Sequence, residues 1–307
     1  MILALDIGGT AVKLGLADRE GTLYQKTSAD VAFDGYRTPV FTTVLSAARR
    51  FLDEQEVKPE GIAVSATGQV ETETGMIIGT NGKIPNYEGT RLKGGLEDAF
   101  GVKTWALNDA NAAVLGECFT GRARGLKHVL MVTLGTGVGG GVVADGKILG
   151  GRRGIAGELG HFPLYAGGLP CACGLRGCYE NYASTTALIR RCEEKTGLAG
   201  LNGRTIFEKA EAGDEGIRLV LREWIGDVAG GICGLVHIFN PEMVLIGGGV
   251  SAQEELLIRP LREEVLSRTM PRFREGLRIE RASLGNDAGL VGAVRYWLDR
   301  EEEGNDY

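Results

Sequence analysis

The chain has 307 residues, a formal net charge of −6 and 43% hydrophobic residues, which is the composition of an ordinary globular protein rather than a disulfide-stapled mini-protein. An acidic chain without a dense basic segment is a poor candidate for a general nucleic-acid-binding protein. Because its apolar runs are far shorter than the roughly 20 residues of a membrane-spanning helix, and because its N-terminus lacks the basic region of a signal peptide, we expect a cytoplasmic protein with no membrane partner and no nucleic-acid partner.

The N-terminal part of the chain alternates strands and helices. The segment ILALDI predicts a buried strand, and the glycines after it lead into a second strand, VKLGLAD, so that the two form a β-hairpin. Apolar residues at helical spacing predict a helix over Pro39–Gln55 and a shorter one over Leu92–Phe100. The strand VKTWAL then ends at Asn108-Asp109, where a further helix begins.

The same order of elements then starts again. HVLMVTLG predicts a strand, Gly135–Gly141 a glycine loop and VVADGKIL a strand pair, which repeats the arrangement of residues 2–17 near residues 129–149. Such a repeat indicates two related α/β lobes. We place the N-terminal lobe at residues 1–120 and the C-terminal lobe at residues 121–287.

The C-terminal lobe is predicted to be mostly helical after an irregular segment at residues 150–182. A long helix is expected over Asp214–Phe239, and its glycines are attributed to close packing rather than to contact with a flat ligand. The strand MVLIGGG precedes a helix at residues 253–268. The last helix, residues 288–302, is expected to pack back on the N-terminal lobe, and the tail EEEGNDY to fray.

The first glycine motif follows the first strand as Asp6-Ile7-Gly8-Gly9-Thr10. It places a carboxylate, two glycines that let a ligand approach the backbone, and a hydroxyl within one turn. It lacks the GK[ST] sequence of a P-loop. The alternative is a plain hairpin turn that needs glycine.

Two further glycine motifs are similar to nucleotide-binding loops. Gly135, Gly137 and Gly140 satisfy GxGxxG, but a dinucleotide fingerprint requires a helix, and the alternation of VVADGKIL predicts that a strand follows. A phosphate-binding hairpin is therefore favoured over an unliganded turn. The later motif, Gly247–Ala252, does lie between a strand and a predicted helix, so it supports a dinucleotide site, a base or ribose contact, or a structural helix start.

The sequence Asn108-Asp109-Ala110-Asn111 lies where a strand ends and a helix begins, which is a usual place for functional groups in α/β folds. Asp109 is either the N-cap of that helix or a carboxylate that accepts the proton of a substrate hydroxyl, as phosphoryl transfer requires. The sequence alone leaves both interpretations open.

A cysteine-rich segment carries the most specific signal. His161 is followed by C-x-C-x4-C at Cys171, Cys173 and Cys178, so these residues supply four ligands of the types that zinc prefers. A site with four protein ligands is structural, because no coordination position stays open. The alternatives are an unligated cysteine loop and a redox pair. The remaining cysteines, expected to be buried filler, are Cys118, Cys192 and Cys233.

Five motifs occur in one order along essentially the whole chain: DIGGT, NDANA, LGTGVGGG, E-x-G-H and CxCGxxGCxE. This set resembles the ROK family of repressors, open reading frames and sugar kinases. The resemblance implies an α/β fold of the actin-like ATPase type, which is a ribonuclease H-like duplication with two lobes and an active-site cleft between them. It also implies a homodimer.

The resemblance further implies an ATP-dependent sugar kinase that uses Mg²⁺ and carries a structural Zn²⁺. Asp109 would be the catalytic base acting on a sugar hydroxyl, usually O6, and Gly247–Gly249 would lie near the adenosine. The residues expected to hold ATP and Mg²⁺ are Asp6, Gly8, Gly9, Thr10, Lys13, Gly135, Thr136, Gly137, Gly139, Gly247, Gly248 and Gly249. The expected sugar ligands are Gly68, Asn81, Asn108, Asp109, Glu158, His161 and Glu180. The expected zinc ligands are His161, Cys171, Cys173 and Cys178.

The predicted zinc segment, residues 158–180, also contains two carboxylates that are expected sugar ligands. Glu158 is three residues before His161, and Glu180 is two residues after Cys178. A zinc ion would therefore hold both carboxylates rigidly as acceptors for sugar hydroxyls. The metal would act on catalysis indirectly, as a scaffold.

The favoured function is an ATP-dependent hexose kinase acting on glucose, because Glu158, His161 and Glu180 are all present. N-acetylmannosamine, N-acetylglucosamine or another hexose is the alternative substrate. Loops such as Thr67–Gln69 and Thr80–Gly89 would discriminate among these sugars.

Two other functions are disfavoured. A sugar-sensing repressor of the same family would carry an N-terminal winged helix-turn-helix, whereas Asp6 lies almost at the N-terminus of this chain. A dinucleotide oxidoreductase would need a helix after Gly135–Gly140, where a strand is predicted.

Overall fold

The computed structural model of the chain describes residues 1–32, 34–80 and 84–305. Its strands are β1 (Ile2–Ile7), β2 (Ala11–Ala17), β3 (Leu23–Asp30), β4 (Gly61–Ala66), β5 (Gln69–Glu71), β6 (Met76–Gly79), β7 (Lys103–Asn108), β8 (Val129–Leu134), β9 (Val138–Ala144), β10 (Lys147–Ile148), β11 (Met243–Gly247) and β12 (Arg278–Arg281). Its α-helices are α1 (Val40–Gln55), α2 (Leu92–Phe100), α3 (Asp109–Phe119), α4 (Glu180–Ala183), α5 (Thr185–Thr196), α6 (Gly203–Glu211), α7 (Glu215–Phe239), α8 (Arg259–Arg268), α9 (Pro271–Arg274) and α10 (Ala288–Asn305). Within these described residues, no helix is both long and apolar enough to cross a membrane.

The chain forms two compact units. Unit 1 comprises Met1–Gly125, Ile148–Gly157 and Asn286–Tyr307, and unit 2 comprises Leu126–Lys147 and Glu158–Gly285. The chain therefore returns to unit 1 twice after leaving it, and α10 belongs to unit 1 although it closes the sequence.

The two main sheets have the same topology. One has the order β3-β2-β1-β4-β7 and the other the order β10-β9-β8-β11-β12. In the first sheet β1 is antiparallel to β2 and parallel to β4, and in the second β8 is antiparallel to β9 and parallel to β11. The duplication predicted from the repeated strand, glycine loop and strand is confirmed.

Helix α10 packs against α3 and against β1 and β4 of the first sheet. The crossing of the two helices is close because it is built on glycines. A Cβ on Gly292 would overlap the carbonyl oxygen of Ala112, and a Cβ on Gly116 would lie 2.5 Å from the carbonyl oxygen of Ala288. The backbones of α3 and α10 are therefore in direct contact.

The start of the tail EEEGNDY does not fray as expected, because α10 continues to Asn305. Its residue Glu301 accepts a hydrogen bond from the indole Nε1 of Trp105 at 3.1 Å and pairs with Lys103 Nζ at 2.9 Å. Both partners lie on β7, far away in the sequence, so the local sequence pattern could not predict these contacts of Glu301.

We expect Glu301→Ala to release the last turns of α10, because the helix loses its contacts with the indole of Trp105 and with Lys103. The expected loss of stability is about 1 kcal/mol, the ordinary size of one such hydrogen bond. Thermal melting measures the loss, and amide hydrogen exchange over residues 299–305 locates it. The neighbouring Glu302 is exposed, so Glu302→Ala is the matched control. Equal melting temperatures for the two variants would contradict this role of Glu301.

The core of unit 2 is organised around α7. Trp224 of this helix is fully buried, and its indole Nε1 donates to the carbonyl oxygen of Ser184 at 3.2 Å. Close packing explains Gly231, because a Cβ there would overlap the ring of Tyr179. The same explanation is wrong for Gly234, where a Cβ would meet nothing within 4 Å.

Candidate active site

The boundary between β7 and α3 places Asp109 at the first residue of the helix. The N-cap is Asn108, whose side-chain oxygen accepts from the backbone N–H of Ala110 at 2.9 Å and of Asn111 at 3.2 Å. The interpretation of Asp109 as the N-cap is therefore wrong. The Asp109 carboxylate accepts instead from the N–H of Ala110 at 2.8 Å and from Asn108 Nδ2 at 3.0 Å.

The electrostatic surroundings suit Asp109 to proton transfer. Burial raises the pKa of Asp109 from 3.8 to about 6, against the lowering effect of the hydrogen bond from Ala110. The negative charge of Asp6 raises the pKa further, while hydrogen bonds with Thr67 and Asn108 lower it. A carboxyl group with a pKa just below neutral pH is deprotonated in the cell and still basic enough to take a proton.

Asn108 also holds the turn at Gly68. Its Nδ2 group donates to the carbonyl oxygen of Gly68 at 2.9 Å. Gly68 has a φ of +92°, and a Cβ there would lie 2.8 Å from the carbonyl oxygen of Gly79, so only glycine fits. The other sugar ligand expected in this region, Asn81, lies outside the described residues.

Asp6 lies near the end of β1, next to the Gly8–Thr10 turn. Its Oδ2 atom accepts from Lys13 Nζ at 2.9 Å, and its Oδ1 atom accepts from Ser65 Oγ at 2.8 Å. The structure thus brings Asp6 and Lys13 together, as expected of two residues of one nucleotide site. Ser65 was missed by sequence analysis, although it is the one polar side chain in the buried strand β4 (GIAVSA).

Tyr87 was also missed. It is 1% exposed, and its hydroxyl has no hydrogen-bond partner among the described residues. Burial raises the pKa of Tyr87, and the charge of Asp109 raises it further. Tyr87 belongs to the loop expected to discriminate among sugars, but a tyrosine in a polar loop gives no sign that it is buried near the proposed base.

In unit 2, the turn between β8 and β9 is shorter than the predicted Gly135–Gly141 loop: it spans residues 135–137, and Gly139–Gly141 lie within β9 and pair with β8. A strand follows the turn, as expected, and no helix does. The loop is tied to α5, because the carbonyl oxygen of Gly135 accepts from the N–H of Thr185 at 2.9 Å and that of Thr136 from Thr186 Oγ1 at 2.8 Å. At Gly137 a Cβ would overlap the carboxylate of Glu180. A side chain at this position would therefore have to displace the Glu180 carboxylate.

The third glycine motif lies against the same loop. Gly248 has a φ of +90°, and a Cβ there would overlap the backbone of Leu134, the last residue of β8. After it come a 3-10 turn at Gly249–Ala252 and a π-helical turn at Glu254–Ile258, and the regular helix begins only at Arg259. The helix start that a dinucleotide fingerprint requires directly after its glycines is thus absent from this described segment.

The cysteine-rich segment gathers its four candidate ligands as the sequence predicts. Their ligand atoms all lie within 4.8 Å of one another, with Cys173 Sγ 3.6 Å from Cys178 Sγ and Cys171 Sγ 3.7 Å from His161 Nδ1. Tetrahedral zinc with ordinary bond lengths places such atoms about 3.6–3.8 Å apart. The cysteines are free, and a disulfide needs a far shorter distance. The set could bind zinc.

Without a metal, the surroundings of the cysteines keep a proton on Cys178. Burial, with the neighbouring Cys173 and Cys171, raises the pKa of Cys178 to about 12. Burial also opposes ionisation of Cys173, but hydrogen bonds bring its pKa below the usual value. Zinc binds thiolates, so a metal here would displace the proton that Cys178 otherwise keeps.

The two carboxylates of this segment are placed by its backbone. Glu180 donates its N–H to the carbonyl oxygen of Gly160 at 2.9 Å, and its Oε2 atom accepts from the N–H of Val138 at 3.0 Å. Glu158 Oε2 lies 4.0 Å from His161 Nε2. Because Nδ1 of His161 faces Cys171, the two nitrogens of this ring point to different groups, so one histidine can serve both a metal and a substrate.

Comparison with known proteins identifies the lineage of this site. The sequence profile of the ROK family matches residues 2–300. The chain belongs to the ROK family. It is 36% identical to a glucokinase of Thermotoga maritima over 97% of this chain and 98% of that protein, and 35% identical to a β-glucoside kinase of Listeria monocytogenes over 98% of both. The structure of a ROK glucokinase from Streptomyces griseus with glucose and AMPPNP matches 96% of this chain and 98% of its own, with a TM-score of 0.81 and 30% identity. ROK membership thus confirms the resemblance and the actin-like ATPase fold.

Proposed function

We propose that this chain transfers the γ-phosphoryl group of ATP to a hexose, at O6 of glucose in the first instance, with Asp109 as the general base. Its family and its glucokinase relatives identify the chain as a sugar phosphotransferase. The observation that carries the finer proposal is the partly buried Asp109 carboxylate, whose pKa is raised to about 6. Phosphoryl transfer requires one such group to orient and deprotonate the attacking hydroxyl.

In the proposed reaction the sugar oxygen attacks the γ-phosphorus as its proton passes to Asp109. A phosphorus–oxygen bond to the sugar forms, the bond to the β-phosphate oxygen breaks, and ADP leaves with the electron pair. Hydrogen bonds from Ala110 and Asn108 fix the receiving carboxylate in one orientation. Orientation of this kind is the main contribution that a kinase can make, because the chemistry needs little covalent help.

Asp6 fits a role beside Mg²⁺·ATP. Its carboxylate is a hard oxygen ligand, lies next to a glycine turn and is held beside Lys13. The ion, when bound, neutralises charge that develops on the phosphates. We propose that Lys13 also neutralises the charge of the phosphates, and that the Gly8–Thr10 turn contacts them. In unit 2 we assign the Gly135–Gly139 turn to phosphate contact and Gly247–Gly249 to the adenosine.

Glu158, His161 and Glu180 are proposed to accept or donate hydrogen bonds to sugar hydroxyls, together with Asn108 and Gly68. Charged acceptors make strong, directional hydrogen bonds to hydroxyl groups. His161 would use Nε2, since Nδ1 faces the cysteines. We further propose that zinc occupies the cysteine–histidine set and acts as a scaffold for the two glutamates.

We expect Gly137→Ala to raise the KM for the sugar about 10-fold, because the added methyl group would displace the Glu180 carboxylate from the N–H of Val138. Steady-state kinetics separates this effect from a change in kcat. Gly234→Ala is the matched control, since its Cβ enters open space on a helix and should slightly stabilise the protein. An unchanged sugar KM in Gly137→Ala would contradict the placement of Glu180.

The substrate is tested by ADP release with Mg²⁺·ATP across a panel of hexoses, N-acetylhexosamines and β-glucosides. We expect turnover of glucose, and loss of that turnover in Asp109→Asn. Turnover of an N-acetylhexosamine alone would leave the kinase and its base in place and correct the sugar. No turnover of any sugar by folded, zinc-loaded protein would overturn the proposal.

A further inference from the structure

The strand register of the first sheet aligns three polar residues in one row. Asp6 of β1 is paired with Lys13 of β2 on one side and with Ser65 of β4 on the other. Directly paired residues project from the same face of a sheet, so the three side chains meet. Each oxygen of the carboxylate then has its own donor, with Lys13 Nζ on Oδ2 at 2.9 Å and Ser65 Oγ on Oδ1 at 2.8 Å.

The first turn of α10 covers one half of this row. A Cβ on Gly289 would lie 2.9 Å from Asp6 Oδ1 and 3.0 Å from Ser65 Oγ, which is closer than Cβ atoms are found in proteins. Ser65 is fully buried, whereas the Asp6 side chain keeps 17% exposure. Oδ1 therefore faces the interior beneath the helix, and water is excluded from its hydrogen bond with Ser65.

Helix α10 is held in this position by its glycine crossing with α3. The contacts of Gly292 with Ala112 and of Gly116 with Ala288 bring backbone against backbone, so neither helix can shift without a steric clash. The same α3 begins at Asp109. The first turn of α10, which covers Asp6, and helix α3, which carries the proposed base, thus pack together within unit 1.

We propose that Ser65 is a positioning residue for Asp6 in phosphoryl transfer, and that residue 289 is glycine to leave room for their hydrogen bond. The proposal rests on the proposed function of Asp6 beside Mg²⁺·ATP. Because Ser65 is fully buried, we place it in contact with neither substrate. It fixes Oδ1, so that Oδ2 and the ammonium group of Lys13 keep one orientation. Without Ser65, Oδ1 loses the one donor that it has among the described residues, and the carboxylate is driven to turn toward water.

The first test is the binding of AMP-PNP to Ser65→Ala by calorimetry, with and without Mg²⁺. We expect the affinity for Mg²⁺·AMP-PNP to fall about 10-fold, the size of one lost hydrogen bond to a charged group, and the affinity for metal-free AMP-PNP and for sugar to change less than about 2-fold. Ser28→Ala is the matched control, since Ser28 is the exposed serine paired with Lys13 on the far side of the same row. A Ser65→Ala protein that binds like Ser28→Ala, or that loses all three affinities equally, would overturn the proposal.

A double-mutant cycle then tests whether Ser65 acts through Asp6. In an Asp6→Asn background, Ser65→Ala should weaken Mg²⁺·AMP-PNP binding no further, whereas independent effects would multiply and contradict the proposal. Gly289→Ala should reproduce the Ser65→Ala defect, and the double variant should be no worse than either single one. Ser65→Cys, which keeps the size of the side chain but is a weak donor, replaces Ser65→Ala if that variant fails to fold.

These results separate the inference from the proposed function. If the wild-type protein phosphorylates a sugar and Ser65→Ala matches its control, the function stands and the positioning role fails. If no sugar is phosphorylated but Ser65→Ala selectively weakens Mg²⁺·AMP-PNP binding, the positioning role stands and the proposed function fails.

Discussion

Replacement of Asp109 by asparagine is expected to lower kcat by about 10²–10⁴-fold, the usual contribution of a general base. The amide keeps the size of the side chain and can still accept from the N–H of Ala110, but it cannot take the proton of the sugar hydroxyl. In the wild-type protein, kcat/KM should fall below a pH of about 6, the pKa to which burial raises Asp109. Initial-rate measurements from pH 5 to pH 9 check both results. Asp98→Asn, an exposed aspartate on α2, is the control.

The same substitution should make the protein more stable at high pH. Burial raises the pKa of Asp109 from its ordinary value of 3.8 to about 6. Between pH 3.8 and about pH 6, the folded protein therefore holds a proton that the unfolded chain has released. The free energy of unfolding therefore falls as the pH rises through this window. Above it, the raised pKa corresponds to about 3 kcal/mol of destabilisation by the partly buried charge.

Asparagine carries no charge and escapes this loss. The difference in unfolding free energy between Asp109→Asn and the wild type should be small near pH 4, grow in favour of the variant with rising pH, and level off near pH 7. Urea unfolding of the ligand-free proteins at pH 5 and pH 8 measures it. If the difference in unfolding free energy does not depend on pH, the surroundings of Asp109 do not oppose its ionisation. This conclusion is independent of the effect on kcat.

The second large effect is expected from Cys173→Ser, which removes one ligand of the cysteine–histidine set. We expect the variant to lose bound zinc and to bind the sugar at least about 10-fold more weakly, because Glu158 and Glu180 lose the metal scaffold beside them. Metal content by mass spectrometry and sugar affinity by calorimetry without nucleotide are the measurements. Cys118→Ser, at a half-buried cysteine of unit 1, is the control and should keep both metal and affinity.

Full activity in a zinc-free Cys173→Ser protein would contradict the scaffold role and leave the cysteines without a part in catalysis. Loss of zinc with unchanged sugar affinity would restrict the metal to folding stability. Both outcomes are distinguishable from global unfolding by circular dichroism, since α5 and α7 make unit 2 rich in helix.

Those parts of the fold that depend on local pattern could be predicted from the sequence. The pairing of β9 with β10 followed from the alternation of VVADGKIL, and the duplication from two copies of one order of elements. The boundary at Asn108-Asp109 was predicted, but of the two interpretations left open for Asp109 the N-cap is wrong, because Asn108 caps the helix. Adjacent polar residues at a helix start compete for the cap, and only the backbone angles decide between them.

The features that escaped prediction depend on partners distant in the chain. Ser65 meets Asp6 because of strand pairing across 59 residues, and Glu301 meets Trp105 across 196. The crowding at Gly137 comes from the carboxylate of Glu180, which reaches it from another segment. Single-sequence patterns report periodicity and local chemistry, whereas register and helix crossing are set by tertiary packing.

The shared topology of the two sheets has a consequence for how the duplicated halves diverged. In the first sheet the pairing row near the strand ends is Lys13–Asp6–Ser65, and in the second sheet the corresponding row is Gly139–Thr133–Gly247. One ancestral position has thus become a charged, hydrogen-bonded triplet in one copy and a neutral row without long side chains in the other. The same backbone position therefore carries charge in the first copy and no charge in the second, so equivalent positions of the two sheets have different chemistry.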